Sequence, residues 1–194
     1  GDIAPFKEYL NFLAQIKADG IIIADLGGAR LAKTLCPELP LHISTQFNAM
    51  NHLTALTLRD LGASRIILAR ELSLDEIKRI RDNIPDSLEL ECFVHGAMCM
   101  AYSGRCLLSS FLTGRQANRG ECAQPCRWEY YLMEKQRPGE YMPITEDARG
   151  TYILNSRDLC MIEHLSQLSS AGINSIKIEG RMKTAYYTAV VTNA

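Results

Sequence analysis

Apolar positions along the first half of the chain recur in two alternating periods. From Phe6 to Lys17, Leu10, Phe12, Leu13 and Ile16 fall at helical spacing, and Ala18-Asp19-Gly20 closes the segment. The run Ile21-Ile22-Ile23-Ala24 then reads as a strand, broken by Asp25-Leu26-Gly27-Gly28 before a helix from Ala29 to Thr34. Leu41 to Thr45 reads as the next strand, Asn51 to Leu61 as a helix ended by Gly62, and Arg65 to Ala69 as a strand. Ser73-Leu74-Asp75-Glu76 is a capping box, in which hydroxyl and carboxylate satisfy orphan backbone donors, and it leads an amphipathic helix through Ile84. Pro85 stops that helix, and Leu88 to Val94 is a further strand.

From Gly96 to about Arg149 the alternation fails, and Gly, Pro, Cys and Arg are frequent, as in an inserted functional region. It resumes with a short strand at Tyr152-Ile153-Leu154. Ser156 or Asp158 then opens a helix through Leu168, a strand follows at Ser175 to Ile178, and a helix at Thr184 to Val191. Strands separated by helices imply parallel pairing with right-handed crossovers and a sheet covered on both faces, in a barrel or a doubly wound sheet. The expected fold class is α/β, a partial TIM-like (β/α) barrel with a Cys/Arg-rich insertion at 96–149. A full eight-unit barrel takes roughly 250 residues. Residues 1–194 are therefore expected to be one domain, cut from a larger barrel and lacking its N-terminal strands. That would leave the strand at Ile21 an unpaired edge that favours self-association.

Composition narrows the partners. The formal net charge is -1 and the pI about 6.5, which excludes a global basic field, so any RNA contact must be local. No apolar run suits a bilayer span or a signal peptide, and the start at Gly1 reads as an internal boundary. Seven cysteines without an export signal point to a cytoplasmic protein with reduced thiols, used for metal binding or redox chemistry.

In parallel α/β folds the ligand site forms at the carboxyl ends of the strands. That rule selects Asp25; Thr45 and Gln46; Arg70 and Glu71; His95 and Gly96; and Glu179, Gly180 and Arg181. An ion pair or a loop cap is the competing reading at each. Cys99 and Cys106 are separated by six residues and Cys122 and Cys126 by three, so two close thiol pairs on a flexible loop can build a four-sulfur site. The competing reading is small buried hydrophobes, which suits Cys36 and Cys92 in apolar segments. Cys160 is a reserve ligand. Arg105, Arg115, Arg119 and Arg127 face only Glu121 between Gly96 and Trp128, a local positive patch for phosphate or a small dicarboxylate, with Trp128 and Tyr130 as a stacking face for a base. A solvated loop with salt bridges is the alternative.

The run from Glu91 through His95-Gly96-Ala97-Met98-Cys99 to Gly104-Arg105-Cys106-Leu107-Leu108-Ser109 resembles the signature of the collagenase-like peptidases, family 32 of the unknown-mechanism class. Asn118 to Trp128, Leu154-Asn155-Ser156-Arg157-Asp158-Leu159 and Lys177-Ile178-Glu179-Gly180-Arg181 resemble further blocks of that family. The resemblance implies an iron-sulfur cluster of the 4Fe-4S type on Cys99, Cys106 and Cys122, with Cys126 as fourth ligand and Cys160 as its competitor. It also implies prephenate as oxygen source, because the family includes hydroxylases of tRNA, ribosomal RNA and ubiquinone.

Three functions follow as expectations. In an RNA-modifying hydroxylase, the four cysteines hold the cluster, Glu179 and His95 handle protons, and Arg105, Arg127 and Arg181 orient anionic groups, with Gln46 and Arg70 as further substrate contacts. In a collagenase-like peptidase, Cys99 or a metal-bound water is the nucleophile, although no HExxH sequence is present. In a structural module, the cysteines hold zinc and the protein only binds RNA or a partner.

Overall fold

Asp25, Asn51 and Ser73 lie where helices begin, and each accepts a hydrogen bond from a backbone N–H of the first helical turn. The computed structural model describes residues 2–99, 101–128, 130–143, 146–147, 150–151, 158–180 and 183–194. The chain forms two units, residues 1–94 with 161–177, and residues 95–160 with 178–194.

Unit 1 opens with α1 (Ile3–Gln15), β1 (Ile21–Ile23), α2 (Leu26–Leu35), β2 (Leu41–Ile43), α3 (His52–Asp60), β3 (Ala63–Ile67) and α4 (Leu74–Arg81). The expected capping box of α4 is present in both halves: Ser73 Oγ accepts from Glu76 N, and the Glu76 carboxylate accepts from Ser73 N. Strand β4 (Glu89–Ala97) leads from unit 1 into unit 2, which contains α5 (Leu108–Thr113) and two short antiparallel pairs. In these, β5 (Tyr131–Leu132) pairs with β6 (Met142–Pro143), and β7 (Glu146–Asp147) with β8 (Gly150–Thr151). Strand β9 (Asp158–Cys160) ends that stretch. Unit 1 resumes with α6 (Leu165–Ser170) and β10 (Ser175–Ile178), and unit 2 closes with α7 (Ala185–Asn193).

The sheet of unit 1 is open, in the order β1-β2-β3-β4-β10, with β1 to β4 in parallel pairs. Asn174 N donates to Leu90 O and Glu179 N to His95 O, so these partners advance together along the chain, the parallel sense. The expected edge at Ile21 is present, since β1 ends the sheet. Leu41, Ile43, Ile66 and Leu90 are 0% exposed and form the core with Leu10, Ala29, Ala55, Ile77 and Leu168 of the helices. The other face departs from the apolar cover expected of a parallel sheet. Register places His42, Arg65 and Glu89 in one row. Arg65 bridges Glu89 at 2.6 Å and Glu91 at 3.4 Å, Lys177 lies 3.3 Å from Glu91, and Ser175 Oγ donates to Glu91 at 3.1 Å. Arg65, Lys177 and Ser175 pair the buried Glu91 carboxylate while Arg65, Lys177 and Glu89 keep contact with water, so these strands need not be apolar on both sides.

The segment expected to open a helix at Asp158 is instead a strand. Residues 158–160 pair antiparallel with the end of β4, matching His95 with Cys160, Gly96 with Leu159 and Ala97 with Asp158. A 3-10 turn (Ile162–His164) then precedes the shorter helix α6. Pairing with a strand remote in sequence overrides the local helical spacing. The strand expected at Tyr152-Ile153-Leu154 lies outside the described residues.

Candidate metal and substrate site

The strand-end candidates of unit 1 are occupied in structural work. Asp25 caps α2, its carboxylate accepting from Gly28 N at 2.8 Å. Buried Thr45 donates its hydroxyl to Leu68 O at 3.1 Å. Gln46 sits in the 3-10 turn Thr45–Phe47 after β2. Arg70 lays its guanidinium 3.8 Å over the Phe93 ring, a cation–π contact that fixes the side chain. The core reading of two cysteines agrees with their surroundings. Cys36 and Cys92 are buried, and burial with the nearby Glu91 carboxylate pushes Cys92 up to about 11.

Unit 2 gathers the rest. Cys99 follows the end of β4, Cys106 precedes α5, Cys122 lies in the following loop, and Cys126 sits in a 3-10 turn (Pro125–Arg127). Cys99 is exposed, the other three are half-buried, and none of the seven cysteines is in a disulfide. Burial pushes the Cys126 thiol up; Arg127 pulls it down, while the thiols of Cys99, Cys122 and Cys106 push it up further. All four cysteines belong to unit 2. Among the described residues, however, no three His, Cys, Asp or Glu side chains stand close enough to hold a metal ion in this arrangement.

Backbone and side-chain ties fix the cysteine segments. Ser109, wholly buried in α5, accepts from Ala123 N at 3.0 Å and so secures the residue after Cys122. Gln124 takes the left-handed conformation and donates its N–H to Cys122 Sγ at 3.3 Å, a dipole that favours negative charge on sulfur. The Tyr130 hydroxyl donates to Pro125 O at 2.8 Å, and its ring stacks on exposed Trp128 at 6.5 Å.

Beside these lies a polar group on strand ends. The His95 ring tilts against Tyr187 of α7 at 5.7 Å. Asp158, at the start of β9, takes Arg127 at 3.0 Å and Lys183 at 2.9 Å. Burial alone would raise the Asp158 carboxyl, but the Lys183 hydrogen bond and the charges of Lys183, Arg127 and His95 hold it below the usual carboxylate value. Glu179 is tied by its backbone N–H to His95 O at 2.8 Å, so the two expected proton handlers are neighbours in unit 2. Arg105, Arg115 and Arg119 are exposed, whereas Arg127 is turned inward onto Asp158. Arg181 lies outside the described residues. Asp158, Lys183, Tyr187 and Ser109 were not among the expected site residues. The signal available for the first two was their place in or just after the family-like blocks at 154–159 and 177–181.

A family model, Peptidase family U32, matches residues 1–194. The chain belongs to peptidase family U32. It is 41% identical to tRNA hydroxylation protein P of Escherichia coli K12, over 95% of this chain and 49% of that protein. It is 45% identical to an uncharacterized protease of Methanocaldococcus jannaschii, over 98% of this chain and 46% of that protein. Identity to the 23S rRNA 5-hydroxycytidine synthase of Escherichia coli K12 is 37%, over 98% of this chain and 27% of that protein. The solved structure of a U32 peptidase shares the fold with TM-score 0.53 at 18% identity, over 94% of this chain and 63% of that one. The chain spans about half the length of the curated tRNA hydroxylation relatives from Escherichia coli and Helicobacter pylori.

Proposed function

We propose that this chain is the cofactor-bearing module of an RNA hydroxylase of family U32, acting on tRNA or ribosomal RNA with an iron-sulfur cluster of the 4Fe-4S type on Cys99, Cys106, Cys122 and Cys126. One observation carries the reading: Cys99, Cys106, Cys122 and Cys126 are thiols in no disulfide and outside the buried core of unit 2, and Arg127 ties the segment before Cys99 to the turn that holds Cys126. The donor set suits the group, being four thiols without disulfides and with an amide N–H aimed at Cys122 Sγ. Bound there, a cluster would supply one-electron redox chemistry. The names of the hydroxylation relatives support RNA as the substrate.

The chain's own residues have separate tasks in this proposal. Arg105, Arg115 and Arg119 contact phosphates, and the exposed face of Trp128 stacks on a base. His95 and Glu179 hold and move protons beside the reacting base. Prephenate or a similar small anion is the proposed oxygen source. The open sheet of unit 1 is proposed as an arc of a (β/α) barrel completed in a longer, cytoplasmic protein. Edge strand β1 is proposed to favour self-association of the isolated chain, and sedimentation that stays monomeric at all concentrations argues against this.

The test is iron, sulfide and zinc analysis with a visible spectrum on full-length protein purified without oxygen, beside a Cys99→Ala/Cys106→Ala variant. It is joined to nucleoside mass spectrometry of RNA from complemented deletion cells. Brown protein with iron and sulfide, and hydroxylated nucleosides that disappear with the variant, are expected. Stoichiometric zinc without hydroxylation would favour the structural RNA-binding module. The peptidase reading has one observation of its own, exposed Cys160 standing opposite His95 in the β4–β9 pair. Peptide cleavage lost in Cys160→Ala would move the assignment there.

A further inference from the structure

The Arg127 side chain touches both the segment that leads into Cys99 and strand β9. We propose that Arg127 is a positioning residue, a strut that holds the Cys99-bearing and Cys126-bearing segments in a fixed mutual arrangement, and that Asp158 is its anchor. This inference rests on the thiolate-centre reading above.

Arg127 directly follows Cys126. One terminal nitrogen lies 3.0 Å from Asp158 Oδ1, and the other donates at 3.2 Å to the carbonyl oxygen of Met98, the residue before Cys99. A planar guanidinium reaches both acceptors at once, whereas a lysine ammonium is a point charge on a flexible stem. The Arg127 side chain is 20% exposed, so these charge-assisted bonds are partly shielded from water.

Asp158 is well placed to hold the strut. Its backbone pairs opposite Ala97 in the β4–β9 ladder, two residues before Cys99, so the carboxylate stands on the strand paired with the one from which the Cys99 loop departs. Its second oxygen is held by Lys183 at 2.9 Å. The sheet therefore fixes the anchor, the anchor fixes Arg127, and Arg127 fixes both cysteine segments. This gives Arg127 a different task from the substrate contact expected of it.

The test uses full-length protein purified without oxygen and compares Arg127→Gln, Arg127→Lys, Asp158→Asn and the Arg127→Gln/Asp158→Asn double variant with Arg137→Ala as an exposed control. The first readout is the rate at which a chelator bleaches the visible absorption. The Arg127 variants should bleach roughly tenfold faster, as for other supports of metal ligands. The double variant should be no worse than Arg127→Gln alone, because both changes remove one linkage. The second readout needs no iron: bimane cross-linking of Cys99 to Cys126 in metal-free protein should fall severalfold in each variant. Arg127→Lys keeps the charge and should keep the far-UV melting temperature, which separates lost positioning from unfolding. Wild-type protein with a cluster, and variants that bleach and cross-link at the wild-type rate, would overturn the strut. Wild-type protein without iron and sulfide would overturn the thiolate-centre reading instead, and the cross-link yields alone would then decide on the strut.

Discussion

At Gly96 the backbone takes φ +114°, and a β-carbon built there would lie 2.5 Å from the carbonyl oxygen of Glu179. Glycine is required twice over, by conformation and by the close approach of the segment that carries Glu179. Gly96→Ala should cost about 1–3 kcal/mol for the strained conformation alone, read as a lower urea midpoint at unchanged m. His42 presents a different problem at the same scale. Burial and the Arg65 guanidinium push its imidazole below the ordinary value, with Lys177 helping and the Glu89 and Glu91 carboxylates opposing. The folded state therefore binds the proton less well than the unfolded chain. Stability should be complete above the ordinary imidazole value of about 6.5 and fall as the pH drops through and below it. His42→Gln should narrow the difference in melting temperature between about pH 7.5 and pH 5.5, and an equal difference in both proteins would remove His42 as the cause.

Among the elements, α5 is short and lacks a side-chain cap, yet it carries Ser109, whose buried hydroxyl meets Ala123 N. Ser109→Ala leaves that backbone N–H unpaired, at a cost of about 1–3 kcal/mol, and loosens the turn that presents Cys122. Urea denaturation of the metal-free protein should show the loss, and alkylation of Cys122 should be faster than in wild type. The family-like block reaches Ser109, but sequence alone does not show that its hydroxyl reaches a loop fourteen residues on. The same division runs through the fold. The alternation from α1 to β4 was legible because each element there is set by local spacing and local caps, as at Asn51 and Ser73. Asp158 was misread as a helix start because its conformation is decided by pairing with Ala97, which no local pattern records. That Cys99, Cys106, Cys122 and Cys126 lie outside the buried core was legible from their Gly- and Arg-rich setting, whereas the inward turn of Arg127 onto Asp158 depends on that same distant pairing.

At the scale of the molecule, charge bears on the proposed contact with RNA. With a net charge of -1, the chain has no overall field to draw a polyanion, so the proposed RNA contact rests on local charge, that of the exposed Arg105, Arg115 and Arg119 of unit 2. Each phosphate contact releases condensed counterions, so the logarithm of affinity falls with the logarithm of salt at a slope that counts the contacts. If the three arginines make one contact each, alanine at any one should lower the slope by roughly 0.7 to 0.9 and weaken binding alike for all sequences. Trp128→Ala should instead weaken binding by about 1–3 kcal/mol with little change in slope, because stacking on a base releases no ions. These changes are measured by fluorescence anisotropy with a labelled tRNA over a salt series. A slope that ignores all three arginines would place the RNA on another surface, even if the cysteines prove to hold a cluster.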